Sequence, residues 1–218
     1  MPRFYAVIRK ILSPAFKLCI TRLESEPLSE DEIKGLSEEF PTFCAWSRLG
    51  NSEDIEYLPM FSDLACSING NNYNAIKIFP LEGETWPLSK DWDMNWCPHL
   101  GSKKNFNYEF IELLSNYVDS IGVHVVYLVK AKGFTCLFRQ AGYPFLVPTK
   151  NMFRFSHRIP FMKMTRMETD DVPKGSFELD PSSLPTDQVD ISASSIDQRL
   201  TTYHGLYKFC RTLCCLST

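Results

Sequence analysis

Cysteine and histidine are the residues of this sequence that could bind a metal or form a nucleophile–base pair. The closest such pair is Cys97 and His99, which flank Pro98. A structural zinc site normally combines two pairs of ligands, each at short spacing. No second pair at that spacing occurs in residues 1–167. The pattern therefore predicts no metal, with Cys97 buried in a tryptophan-rich loop that His99 caps.

Sequence motifs for common enzyme chemistries are missing as well. The ten glycines form neither a GxGxxG nor a GxxxxGK phosphate loop, and there is no Gly-x-Ser-x-Gly elbow. Asp91 and Asp93 beside Trp92 could form an acidic pocket, but paired carboxylates are common on polar surface loops. We predict a protein that is not an enzyme and that takes no cofactor or small-molecule substrate.

A long basic segment without acids is the strongest functional signal. Residues 121–167 contain no Asp or Glu. Their cationic residues are Lys130, Lys132, Arg139, Lys150, Arg154, Arg158, Lys163 and Arg166. Aromatic residues alternate with these bases, and single-stranded RNA binds where rings stack on nucleobases and cations meet phosphates. The same face could bind the headgroups of an anionic membrane. It could also form ion pairs with acidic residues elsewhere in this chain.

The C-terminal residues offer a second kind of chemistry. Cys215 to Thr218 has the form of a C-a-a-X prenylation motif, and Cys210 and Cys214 could carry palmitate. Lipid at these cysteines and a basic face would together supply the two signals that stable anchoring requires. The alternative is an apolar tail that docks back onto the folded body.

The hydrophobic periodicity predicts the elements that would position these residues. Amphipathic helices are predicted at about 30–40, behind a capping box, and at about 106–120. Hairpins are predicted near 61–79, around an Asn-Gly turn, and near 123–139. The expected fold is an α+β body of residues 1–167, in which a mostly antiparallel sheet is packed by the two helices.

The composition changes after this body. Residues 168–199 carry eight acids against two bases and few apolar side chains, which is typical of a disordered acidic linker. Residues 200–218 become apolar and cysteine-rich again. The predicted organisation is therefore a folded body, a disordered linker and a short C-terminal segment.

These features predict a non-enzymatic accessory or adaptor protein, with a viral matrix-like protein as the nearest analogy. Its expected partners are another protein and an anionic membrane surface, and the alternative is a protein that binds single-stranded RNA through residues 130–166. The sequence has no convincing signal peptide, and most of its eight cysteines are scattered singly. We therefore expect a cytoplasmic protein, with the cytoplasmic face of a membrane as its second location.

Overall fold

The computed structural model describes residues 3–13, 17–25, 46–56, 61–65, 67–69, 75–90, 107–165, 172–185 and 213–217. The strands of a first sheet are β1 (Arg3–Ser13), β2 (Lys17–Ser25), β3 (Trp46–Ile55), β4 (Phe61–Ala65), β5 (Ser67–Asn69), β6 (Ala75–Ile78) and β13 (Leu213–Ser217). They pair in the order β4-β13-β1-β2-β3-β6-β5, and every pair is antiparallel.

A second antiparallel sheet contains the remaining described strands. These are β7 (Thr85–Ser89), β8 (Tyr108–Leu113), β9 (Gly122–Lys130), β10 (Leu137–Pro148), β11 (Phe161–Lys163) and β12 (Phe177–Leu179). They pair in the order β11-β12-β10-β9-β8-β7. Short 3-10 turns lie at Thr149–Arg154 and Pro181–Ser183.

One segment links the two edges of the second sheet. Phe155 and Ile159 form bridges to Leu88 and Thr85 on the β7 edge. A few residues later the same segment becomes β11, which pairs with β12 at the opposite edge. The second sheet therefore curls around an apolar cluster that includes Phe110, Leu128, Phe138, Ile159 and Phe177.

The largest apolar cluster joins the two sheets. Tyr5 and Val7 of the first sheet belong to it, together with Trp86, Ile111 and Val125 of the second. Each of these side chains is at most 3% exposed. Burial of this apolar surface is the main force that holds the sheets together.

The α+β prediction is wrong, because the described chain consists of strands joined by loops and short 3-10 turns. The segment predicted as a helix over 106–120 instead forms β8 and a loop. Its apolar residues fit helical spacing because β8 is covered on both faces, so Phe110, Ile111 and Leu113 are all buried instead of alternating with exposed residues. The other predicted helix, residues 30–40, lies outside the described residues. Antiparallel pairs do lie at both predicted hairpins, as β5 with β6 and β9 with β10.

The acidic linker prediction is also wrong for residues 172–185. This stretch forms β12 and a 3-10 turn whose cap is Asp180. Phe177, Leu179 and Leu184 are at most 1% exposed, within the cluster that the second sheet encloses. Three apolar side chains at the right register are enough to order a stretch whose overall composition is polar. The rest of 168–199 lies outside the described residues.

Candidate interaction surface

A large bulge interrupts the long β9–β10 ladder. Ala141 pairs with Tyr127, and the next pair is Phe145 with Val125. Residues 142–144 of β10 therefore face Val126 alone, so β10 carries two extra residues there. Gly142 supports this geometry with a φ of 77°, which other residues rarely adopt. Bulges of this kind commonly direct a side chain away from the sheet.

The bulge presents Tyr143 to solvent. This side chain is 91% exposed, the highest value among the large hydrophobic residues of the described chain. A tyrosine offers a large apolar ring with a polar tip, which is why the residue is enriched at binding surfaces. The rigid ladder on either side of the bulge fixes where the ring is presented.

A row of exposed residues crosses three strands beside this bulge. Leu146 pairs with His124 on β9, and the backbone N–H of Leu114 donates to the His124 carbonyl at 2.8 Å. Residues paired in this way share one face of a sheet. Leu114 and Leu146 are 36% and 42% exposed. Tyr143 is three residues from Leu146 on the same strand, or about 10 Å.

The loop that joins β8 to β9 adds two exposed apolar side chains, Val118 and Ile121. The ring of Tyr117 in this loop stacks on Phe79 at a centroid distance of 4.8 Å. Lys77 lies over both rings and forms an ion pair with Asp119 at 3.7 Å. These contacts hold the loop in place, so its apolar residues are positioned before any partner arrives.

We use the term β10 surface for Leu114, Val118, Ile121, Tyr143 and Leu146. The sequence analysis did not identify it. The signal was present in Gly142-Tyr143-Pro144, because glycine and proline inside an apolar strand pattern mark a bulge. In the sequence, Tyr143 is one of several aromatic residues of the basic segment 121–167.

Three of the predicted anion-binding residues are ion-paired. Arg158 Nε lies 3.1 Å from Glu84 Oε1, and Lys163 Nζ lies 3.6 Å from Glu112 Oε1. Arg154 Nη2 is 3.7 Å from Glu109 Oε2. The three glutamates lie on β8 or immediately before β7, so these ion pairs hold residues 154–163 against the second sheet.

The other predicted bases are not gathered into one patch. Lys130 and Lys132 lie at one end of the β9–β10 ladder, and Lys150 follows β10 at the other. Arg139 is exposed on β10. The ends of a strand of this length are about 35 Å apart. Arg166 lies outside the described residues. Anion binding by this set remains a prediction.

A histidine network lies behind the β7 edge. His157 Nε2 is 2.9 Å from the carbonyl oxygen of Ser183, and Nδ1 is 2.9 Å from Ser156 Oγ. A carbonyl can only accept, so Nε2 donates to Ser183 and the Ser156 hydroxyl donates to Nδ1. Ser156 and His157 are at most 3% exposed. This Ser–His pair therefore fixes the loop to the 3-10 turn.

Replacing His157 by alanine is expected to lower the free energy of unfolding by about 2 kcal/mol, because two buried hydrogen bonds and close packing are lost. Urea denaturation would measure the change. The matched control is His124→Ala, which removes an exposed ring and should cost less than about 0.5 kcal/mol. Equal losses for the two variants would contradict a structural role for His157.

Cys19 and Cys136 are free thiols in the described part of the chain. Burial raises the pKa of the Cys136 thiol; Lys130 opposes this shift, while Glu178 and Asp180 add to it. Because the thiolate is the reactive form, alkylation of Cys136 should reach its plateau rate at a higher pH than a free model thiol. Mass spectrometry of iodoacetamide-treated protein, from neutral to alkaline pH, would measure this. A plateau at or below the pH of the model thiol would contradict it.

The predicted lipidation sites fall in two classes. Cys214 and Cys215 lie in β13, which pairs with β1 on one side and β4 on the other. Cys210 lies outside the described residues. Among the described residues, no helix is long and apolar enough to cross a membrane.

The fold and this surface define a class of protein: an antiparallel β domain of two packed sheets with an exposed aromatic bulge. A family model described as a domain of unknown function, DUF3444, matches residues 1–168. That match spans more than half of the chain, so the chain belongs to the DUF3444 family. No curated protein and no solved structure matches it significantly.

Proposed function

We propose that this chain is a non-enzymatic interaction protein that binds a segment of another protein through the β10 surface. The observation that carries the proposal is the 91% exposed ring of Tyr143, held on an ordered bulge. Aromatic side chains are enriched among the few residues that contribute most of the binding energy at protein interfaces.

The charges around this surface indicate the chemistry of the partner. Arg139 lies on β10 four residues before Tyr143, and Lys150 follows the end of the same strand. Neither forms an ion pair with any acid in the described ranges. A segment with leucine or aromatic residues flanked by Asp or Glu would complement both features.

We propose that the protein is cytoplasmic. Free thiols at Cys19 and Cys136 are compatible with a reducing compartment. Association with the cytoplasmic face of a membrane would depend on the C-terminal cysteines and on the bases that stay exposed. RNA binding is less well supported, because Arg154, Arg158 and Lys163 have carboxylate partners.

Selection of a random peptide library on the full-length protein tests the proposal. We expect enrichment of peptides in which apolar residues are flanked by acids, and no enrichment of the same peptides on the Leu146→Asp variant. A parallel titration with single-stranded RNA addresses the alternative. Salt-sensitive RNA binding that Arg139→Ala with Lys150→Ala weakens, together with no enriched peptide, would overturn the proposal.

A further inference from the structure

The last described strand enters the first sheet from a distant part of the sequence. β13 lies between β1 and β4 and is antiparallel to both. Residues 186–212, which number 27, separate it from the preceding described stretch. Its five residues run opposite Arg3 to Val7 of β1. A non-local strand therefore occupies an interior position in the sheet.

Removing β13 would expose two strand edges. β1 would keep β2 on its other side, whereas β4 has no neighbour other than β13 among the described strands. The edges of β1 and β4 that β13 joins would then present unpaired N–H and C=O groups. Such edges accept an extended peptide through main-chain hydrogen bonds.

Two observations set β13 apart from the domain that it completes. The family match ends at residue 168, so it includes β1 and β4 but excludes β13, as it also excludes β12. A connection of 27 residues can extend to about 90 Å, which allows the strand to leave and rejoin the sheet. Because this connection links the strand to the sheet, docking is intramolecular, with an effective concentration set by the length and stiffness of the connection.

We propose that the gap between β1 and β4 is a strand-binding groove, and that its occupant is the chain's own C-terminal strand, which docks reversibly. The segment that it takes is a short extended peptide with apolar residues and cysteines, Leu213 to Ser217. This inference does not depend on the β10 surface, which lies in the other sheet.

The test uses the full-length protein with a specific protease site inserted among residues 186–212. Cleavage removes the tether, so the effective concentration no longer favours the attached strand. A fluorescent peptide of residues 209–218 is then added. We expect the cleaved fragment to stay bound until the labelled peptide replaces it. If the fragment is instead washed away, amide hydrogen exchange in β1 and β4 should become about tenfold faster.

Matched peptides make the test specific. Every internal N–H of β13 faces either β1 or β4, so a Cys215→Pro peptide loses a ladder hydrogen bond and should bind about tenfold more weakly. A Cys215→Ser peptide keeps the backbone donor and should still bind. The proposal is overturned if the two peptides behave alike, if the fragment leaves and no peptide is taken up, or if cleavage unfolds the body without exchange. Tyr143→Ala should leave exchange unchanged, which separates this result from the fate of the proposed function.

Discussion

Replacing Glu84 by alanine is expected to lower the free energy of unfolding by about 3 kcal/mol. Glu84 Oε2 accepts hydrogen bonds from Trp86 Nε1 and from the Leu81 N–H, both at 2.9 Å. Its other oxygen is the partner of Arg158. The alanine variant would leave the indole N–H of a 2% exposed tryptophan without its acceptor, and would remove the Glu84 carboxylate from Arg158.

The comparison is made by chemical denaturation of Glu84→Ala and of the control variant Glu82→Ala. Glu82 is exposed and lies two residues away in the same turn, so its replacement should cost less than about 0.5 kcal/mol. Similar midpoints for the two variants would show that Glu84 does not hold the Arg158 segment against the sheet.

Replacing Tyr143 by alanine is expected to weaken partner binding about 30-fold without changing the stability of the domain. The ring contacts little of its own protein, since 91% of it is exposed, and its removal leaves no cavity. Fluorescence polarisation with a peptide enriched by the library selection would measure the affinity, and thermal denaturation would measure the stability.

Lys174→Ala is the matched control for this prediction, because Lys174 lies in an exposed turn of a different segment. The Lys174→Ala variant should bind the peptide with the same affinity as the unaltered protein. If the Tyr143→Ala variant binds the peptide with full affinity, Tyr143 is not part of the interface. A variant that unfolds at a clearly lower temperature would mean that the ring supports the bulge itself.

The strands were easier to predict than the class of fold. The Asn-Gly turn before β6 and the β-branched run of β9 are local signals, and strands pair at both places. β8 was misread because Phe110 and Leu113 fit the spacing of a helix. Glu112, which lies between them, is only 7% exposed. Its actual partners, Gln140 and Lys163, are distant in sequence, so no local pattern could show that a carboxylate is buried there.

The site was harder to predict for the same physical reason. Composition identified the bases of residues 121–167, but it could not show that Arg154, Arg158 and Lys163 fold back onto glutamates of another segment. Tyr143 was visible in the sequence, whereas its exposure depends on the register shift between Ala141 and Phe145. For the C-terminal tail the sequence allowed two alternatives, lipidation or docking onto the body. The structure places residues 213–217 in the first sheet.

Site-specific photo-crosslinking in cells tests the central claim most directly. A benzophenone amino acid would replace Tyr143 in one variant and Ile11 in another; Ile11 is 77% exposed but lies in the first sheet. The account predicts discrete protein adducts from position 143 that disappear when Leu146→Asp is added, and none of these adducts from position 11. Identical adducts from both positions, or a nuclease-sensitive adduct from position 143, would contradict the claim that the β10 surface binds a protein.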